Sequence, residues 1–220
     1  MKPTLLLFAI LCIQQSPLSA QGVIRPAPGQ TVVIEEVKTR TLDPVVVRRQ
    51  LSIAPRVVVV ETPAPVLGTV PVPSAAAIEK YNRVYNVQRN VVVITEKEQS
   101  RELSYVTVPV LFVKDTAELL DTQSRADLEN VAKIILEISK TQPEARFEIE
   151  GHTSTDGTDE LNLTLSAARA QRVYDELTQR YGVPASMLTG HGYGEKYPTH
   201  PNGTEAQMQE DRRVLVVRSN

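Results

Sequence analysis

Between Tyr105 and Arg218 the apolar pattern switches repeatedly between the period of a strand and that of a helix, which restricts the fold more than any other feature. YVTVPVLFV (Tyr105–Val113) alternates as a strand does, with Pro109 marking an edge or a bulge. Asp121 or Thr122 predicts the cap of a helix whose Leu128, Val131, Ala132, Ile135 and Ile138 lie on one face. ARFEIEG (Ala145–Gly151) predicts a second strand, with Phe147 and Ile149 alternating against Arg146, Glu148 and Glu150. Beyond a turn-rich loop, Ala170, Val173, Tyr174, Leu177 and Tyr181 define a second helix face, with Asn162 as its expected N-cap. RRVLVVR (Arg212–Arg218) is the final strand. Strands alternating with helices predict a two-layer α/β or α+β domain over residues 105–220.

Upstream the chain changes character. Eleven of the 15 prolines lie at or before Pro109, whereas seven of the 10 glycines lie at or after Gly151. Residues 21–104 are rich in Val and Pro, with strand character at Val57–Glu61 and Val91–Thr95 and a stiff spacer from Pro63 to Pro73. They are expected to form a partly ordered extension, of strands or linker, with no chemistry of its own. Residues 1–20 read as a secretory signal peptide: Lys2, the apolar run Leu5–Ile13, then QQSPLSA. That run is too short to span a bilayer. Cys12, the single cysteine, falls inside it with Ile10 and Leu11 before it, which argues against a lipid-modified cysteine. Without thiols after Ala20, stability must come from an apolar core. A net charge of −2 with no basic cluster argues against a nucleic-acid partner.

The loop-helix junction GHTSTDGTDELNLTLSAARAQRV (Gly151–Val173) carries the candidate chemistry. Asn162 and Arg169 are seven residues apart and so project from nearly the same side, at the flank of the apolar stripe. There Arg169 either pairs with an internal acid, Glu176 or Asp159, or presents a fork of donors to an external carboxylate, aided by free N–H groups of the helix start.

FEIEGHTSTDGTDELNLTLSAARAQRV, GVPASMLTGHGYGEKYP and DRRVLVV together resemble the OmpA-like C-terminal domain, a periplasmic peptidoglycan-binding module, over about half of the chain. The resemblance implies a β-α-β-α-β two-layer α+β sandwich with a mixed sheet. It also implies a ligand, the diaminopimelate side chain of the peptidoglycan stem peptide. Its site residues would be Arg169, Asn162, Ser154, Thr153, Asp156 and Arg212. In the family an arginine takes the diaminopimelate carboxylate, matched by Arg169, and an aspartate after GHT takes the ammonium. Here that position is Ser154, which predicts weakened binding unless Asp156 compensates. Val113 and Asp211 also depart from the pattern, standing where an aspartate and an asparagine are usual.

Catalysis through His152, Asp156 and Ser166, or zinc binding by His152, His191 and His200, lacks recognisable spacing, so neither enzyme, cofactor nor metal is expected. Residues 21–104 are also too short and irregular for an eight-stranded membrane barrel. The expected function is an exported, non-catalytic peptidoglycan-binding module of the periplasm or outer membrane, its extension contacting an outer-membrane protein. The alternative is a scaffold that keeps the fold but has lost wall binding.

Overall fold

The computed structural model describes residues 42–58, 83–96 and 99–220. The expected signal peptide and the Pro63–Pro73 spacer lie outside the described residues.

Among the described residues, seven strands form one mixed sheet: β1 (Arg56–Val58), β2 (Arg83–Asn86), β3 (Val91–Glu96), β4 (Gln99–Val108), β5 (Phe147–Gly151), β6 (Leu188–Gly192) and β7 (Val214–Arg218). The order is β2-β3-β4-β7-β5-β6, with β1 pairing β4 off this path. All pairings are antiparallel except β5 with β6, whose connection runs through a helix as parallel strands require. β4 is long enough to pair β1 and β3 through its first half and β7 through Tyr105–Val108. Tyr105 therefore lies mid-strand, and strands from both sides of it share one sheet. Pro109 ends β4 before the expected Val113, because it has no N–H for a further ladder bond.

Among the described residues, four α-helices accompany the sheet: α1 (Pro44–Leu51), α2 (Thr122–Thr141), α3 (Asp159–Asp175) and α4 (Glu205–Asp211). α2 starts at Asp121, whose carboxylate accepts the Ser124 N–H at 2.7 Å, and buries the expected stripe of Leu128, Val131, Ala132, Ile135 and Ile138. α3 is continued by a π-helical turn, Glu176–Arg180, and buries Ala170, Val173 and Leu177. The α1 segment departs from the extended reading of its valines. Asp43 accepts the Val45 and Val46 N–H groups and Pro44 occupies the first turn, so a cap and a φ-fixed start outweigh β-branching. Val47 and Leu51, one turn apart, then enter the core.

β7 divides its side chains between two clusters. Val214 and Val216 join Phe147, Ile149 and the helices, while Leu215 and Val217 join Val92, Ile94, Leu103 and Tyr105 on the opposite face. That second face also carries Glu148 and Glu150, and it too is covered. β2 stands four strands from β5 in the ladder, about 19 Å across a flat sheet at the usual spacing, yet Tyr85 Oη donates to Glu150 Oε2 at 2.7 Å. The sheet therefore curls until its β2 edge lies over the outer face of β5.

Candidate functional site

The curl assembles a buried polar cluster in which residues 83–85 supply half of the partners. Arg83 pairs with both Glu148 and Glu150, Tyr193 Oη donates to Glu148 at 2.8 Å, and His152 Nε2 lies 3.3 Å from Glu150 Oε2. Glu150 is fully buried. Burial alone would raise its carboxyl, but His152, Arg83 and Tyr85 outweigh burial and hold it below its ordinary value. Burial lowers His152 to about 4 against the pull of Glu150, so the imidazole is neutral at pH 7. Among the described residues its Nδ1 has no hydrogen-bond partner. The Arg83 guanidinium covers the Tyr193 ring at 4.6 Å, and Tyr193 stacks on His152. This cluster was not legible in the sequence, where Glu148 and Glu150 read as the polar side of a strand and residues 21–104 as free of chemistry.

A second polar site lies where the loop after β5 meets α3. Two glycines make that meeting close: a Cβ on Gly151 would fall 2.1 Å from the Ser166 carbonyl oxygen, and one on Gly192 would fall 2.3 Å from the Ala167 nitrogen. Ser166 is fully buried and structural, accepting the Gly194 N–H at 2.8 Å and donating to the Leu163 carbonyl at 2.9 Å. Asn162 does not cap α3. Thr158 does, because its hydroxyl reaches the Leu161 N–H, so the helix begins three residues before Asn162. The Asn162 amide instead donates to the Asp156 carbonyl at 2.9 Å and to Glu195, stapling the loop to the turn after β6. Asp156 contributes this carbonyl, while the residue as a whole is exposed.

Arg169, ten residues into α3 and away from the free N–H groups of the helix start, is only 8% exposed. Its Nε donates to the Thr116 carbonyl at 3.1 Å, and its guanidinium lies 5.0 Å over the Phe112 ring. Neither internal acid considered from sequence reaches it: Glu176 pairs with Arg172 and Arg180, and among the described residues no carboxylate lies within 4.0 Å of Arg169. Burial, and after it the charge of Arg212, lower Arg169 from its ordinary pKa, with exposed Asp115 opposing them weakly. Arg212 Nη1 reaches the Ser154 hydroxyl at 3.4 Å, and its other nitrogens pair with Glu205 and Gln209. Ser154 and Thr153 are both buried, and among the described residues Thr153 Oγ1 has no hydrogen-bond partner. Arg212 thus touches Ser154 and lies near enough to Arg169 for its charge to act there. The remaining departures have structural roles. Asp211 is fully buried, accepts the Thr199 and His200 N–H groups and pairs with Arg213. Val113 shares backbone hydrogen bonds with Thr116 and Glu118, forming the turn that presents the Thr116 carbonyl.

Residues 111–212 match the model of the OmpA family, and this part of the chain is similar to that family. Outer membrane porin F of Pseudomonas aeruginosa is 35% identical to the chain over 113 residues, covering 51% of the chain and 31% of the porin. The peptidoglycan-binding protein ArfA of Mycobacterium tuberculosis is 34% identical over 109 residues, covering 50% of the chain and 32% of ArfA. The chain thus spans about a third of the length of these curated relatives. Among solved structures, the peptidoglycan-associated lipoprotein from Burkholderia pseudomallei aligns with a TM-score of 0.43 at 29% identity, over 50% of this chain and 88% of that one. The OmpA-family match begins after β4 and ends before β7, so the strands that complete the sheet lie outside it. No helix among the described residues is long and apolar enough to cross a membrane.

Proposed function

We propose that the chain is an exported, non-catalytic envelope module that grips the peptidoglycan stem peptide through the diaminopimelate carboxylate. Arg169 is the principal donor, with Arg212, Thr153 and Ser154 around it and Asn162 and Asp156 holding the loop in place. One observation carries this reading: Arg169 is a buried guanidinium with no carboxylate within 4.0 Å among the described residues. A buried cation is ordinarily paired, because the interior cannot replace the water it has lost. A guanidinium at pH 7 cannot escape by losing its proton. An external carboxylate docking as a two-pronged partner supplies the missing charge in the geometry that guanidinium donors favour. Ser154 offers a weaker, neutral acceptor where an ammonium would sit, so binding of the free zwitterion is weak, by about 10- to 100-fold relative to a carboxylate at that position. Relatives that share the domain support the reading, ArfA being a peptidoglycan-binding protein by name. The extension before the OmpA-family match is proposed to contact an outer-membrane protein.

Sedimentation with diaminopimelate-type sacculi tests the proposal. The wild type is retained and Arg169→Met is lost to the supernatant, while its stability stays within about 1 kcal/mol because a neutral hydrogen bond of that size is traded against an unpaired charge. Equal behaviour of the two proteins would refute the proposal and favour a scaffold that no longer binds the wall.

A further inference from the structure

Resting on the carboxylate reading of Arg169, we propose that β2, in the extension, is an internal effector of wall binding. Its Arg83 and Tyr85 hold His152 and Tyr193, which act as positioning residues for the two loops fastened to α3. The contacts form a short series. The Tyr85 ring meets the His152 ring edge-on at 5.4 Å, the Arg83 guanidinium lies over Tyr193 at 4.6 Å, and His152 and Tyr193 stack at 5.7 Å. Each of these two rings is followed directly by loop residues, Thr153 and Ser154 after His152 and Gly194 and Glu195 after Tyr193. The loops are tied together, the Tyr193 N–H donating to the Gly151 carbonyl at 2.9 Å and the Thr153 N–H to the Gly194 carbonyl at 3.0 Å. Gly194 and Glu195 then bind Ser166 and Asn162 of α3. Arg213 repeats the arrangement: its guanidinium lies 5.6 Å from the Tyr85 ring centre, and its neighbour Arg212 touches Ser154.

β2 is well placed to open. It stands at the end of the strand order, pairs only with β3 among the described residues, and lies outside the family match. Lifting it would expose the fully buried Glu150 and take away the side chains on which His152 and Tyr193 rest. The backbones of Thr153 and Gly194 would gain freedom with them. Two sites that bias one opening equilibrium are coupled, and the coupling is reciprocal. The docked form is the ground state, so a ligand only depletes a rare open one. A variant that populates the open form loses affinity in proportion to the docked fraction that remains.

The test compares the full chain with Tyr85→Leu, using calorimetric titration with a soluble stem tripeptide that carries meso-diaminopimelate and hydrogen exchange without ligand. In Tyr85→Leu the affinity is expected to fall at least about fivefold, the lower end of ordinary coupling. The Thr153 and Gly194 amides should exchange faster by a similar factor beyond any change in the amides of α2, which report general destabilisation. Tyr85→Phe keeps the ring against His152 and leaves both readings near the wild type, as does Val84→Thr, whose side chain is exposed on the same strand. If Tyr85→Leu does not fold, Arg83→Lys replaces it, retaining a cation for the two acids but not the flat group over Tyr193. Wild-type affinity in the variant, or equal acceleration in the loops and α2, would overturn the coupling and leave the carboxylate reading intact. A wild type that does not bind the peptide would overturn both.

Discussion

Replacing Arg83 with Met tests whether the strands before residue 99 belong to the domain. Arg83 is the cation for two acids, reaching Glu148 Oε1 and Oε2 at 3.2 and 3.1 Å and Glu150 through its other nitrogen. Its side chain is 12% exposed, and those of the two acids are 10% and 0% exposed. Methionine fills most of the stem but leaves the acids facing each other, with Tyr85, Tyr193, His191 and a neutral His152 beside them. Removing one partner of a buried pair costs about 3–5 kcal/mol, a large share of a typical total of about 5–15. With a urea slope of about 2 kcal/mol per M, the midpoint at pH 7 should fall by about 1.5–2.5 M. A pH signature separates this cause from a packing defect. Without Arg83 the pair retains a proton that the unfolded carboxyls release, so the native state binds more protons and the deficit shrinks as pH falls from 7 to 5. A loss below about 1 kcal/mol with an unchanged pH profile would refute the account, showing that β2 does not stabilise the face of β5.

Because His152 titrates at about 4 when folded and near 6.5 when unfolded, the unfolded chain takes up its proton first. Stability should therefore decline by about 3 kcal/mol as pH falls from 6.5 to 4, and urea midpoints for His152→Gln should flatten over that window. Glu150, held below its ordinary value, adds its own loss at lower pH. Leu51→Ala should cost about 2–5 kcal/mol in urea melts despite lying outside the family match, since Leu51 is fully buried and its carbonyl accepts Arg218 Nη1 at 3.1 Å. Gly192→Ala should lower the thermal midpoint by more than any surface substitution, because its methyl group meets the backbone of Ala167.

The helices and strands of the second half were legible because each buries one stripe or one alternate set against a single core. α2 and its Asp121 cap follow directly from that rule. The strand β5 was legible in place but not in surroundings. Glu148 and Glu150 mark a polar face in sequence, and only a curled sheet, which no local pattern encodes, brings Arg83 and Tyr85 across to bury them. α1 falls within residues 21–104, expected as strands or linker from their Val and Pro content, although Asp43 and Pro44 specify a helix start. Asn162 was misplaced for a related reason: its type suits a cap, but the loop carries Thr158 to that position and leaves Asn162 to staple the turn. Arg169 was legible as a flank residue, whereas the contact of its neighbour Arg212 with Ser154 joins positions 58 residues apart.

The backbone contact of Gly151 and Gly192 with α3 fixes more than a packing distance. With no side chain between them, the ends of β5 and β6 and the helix that carries Arg169 pack backbone against backbone, which leaves them little room to shift. At the carboxylate site proposed above, recognition would then be by a mould already set. Little ordering entropy remains to be lost on docking, free and occupied forms should superimpose, and changes in affinity among variants should appear in how slowly the ligand leaves.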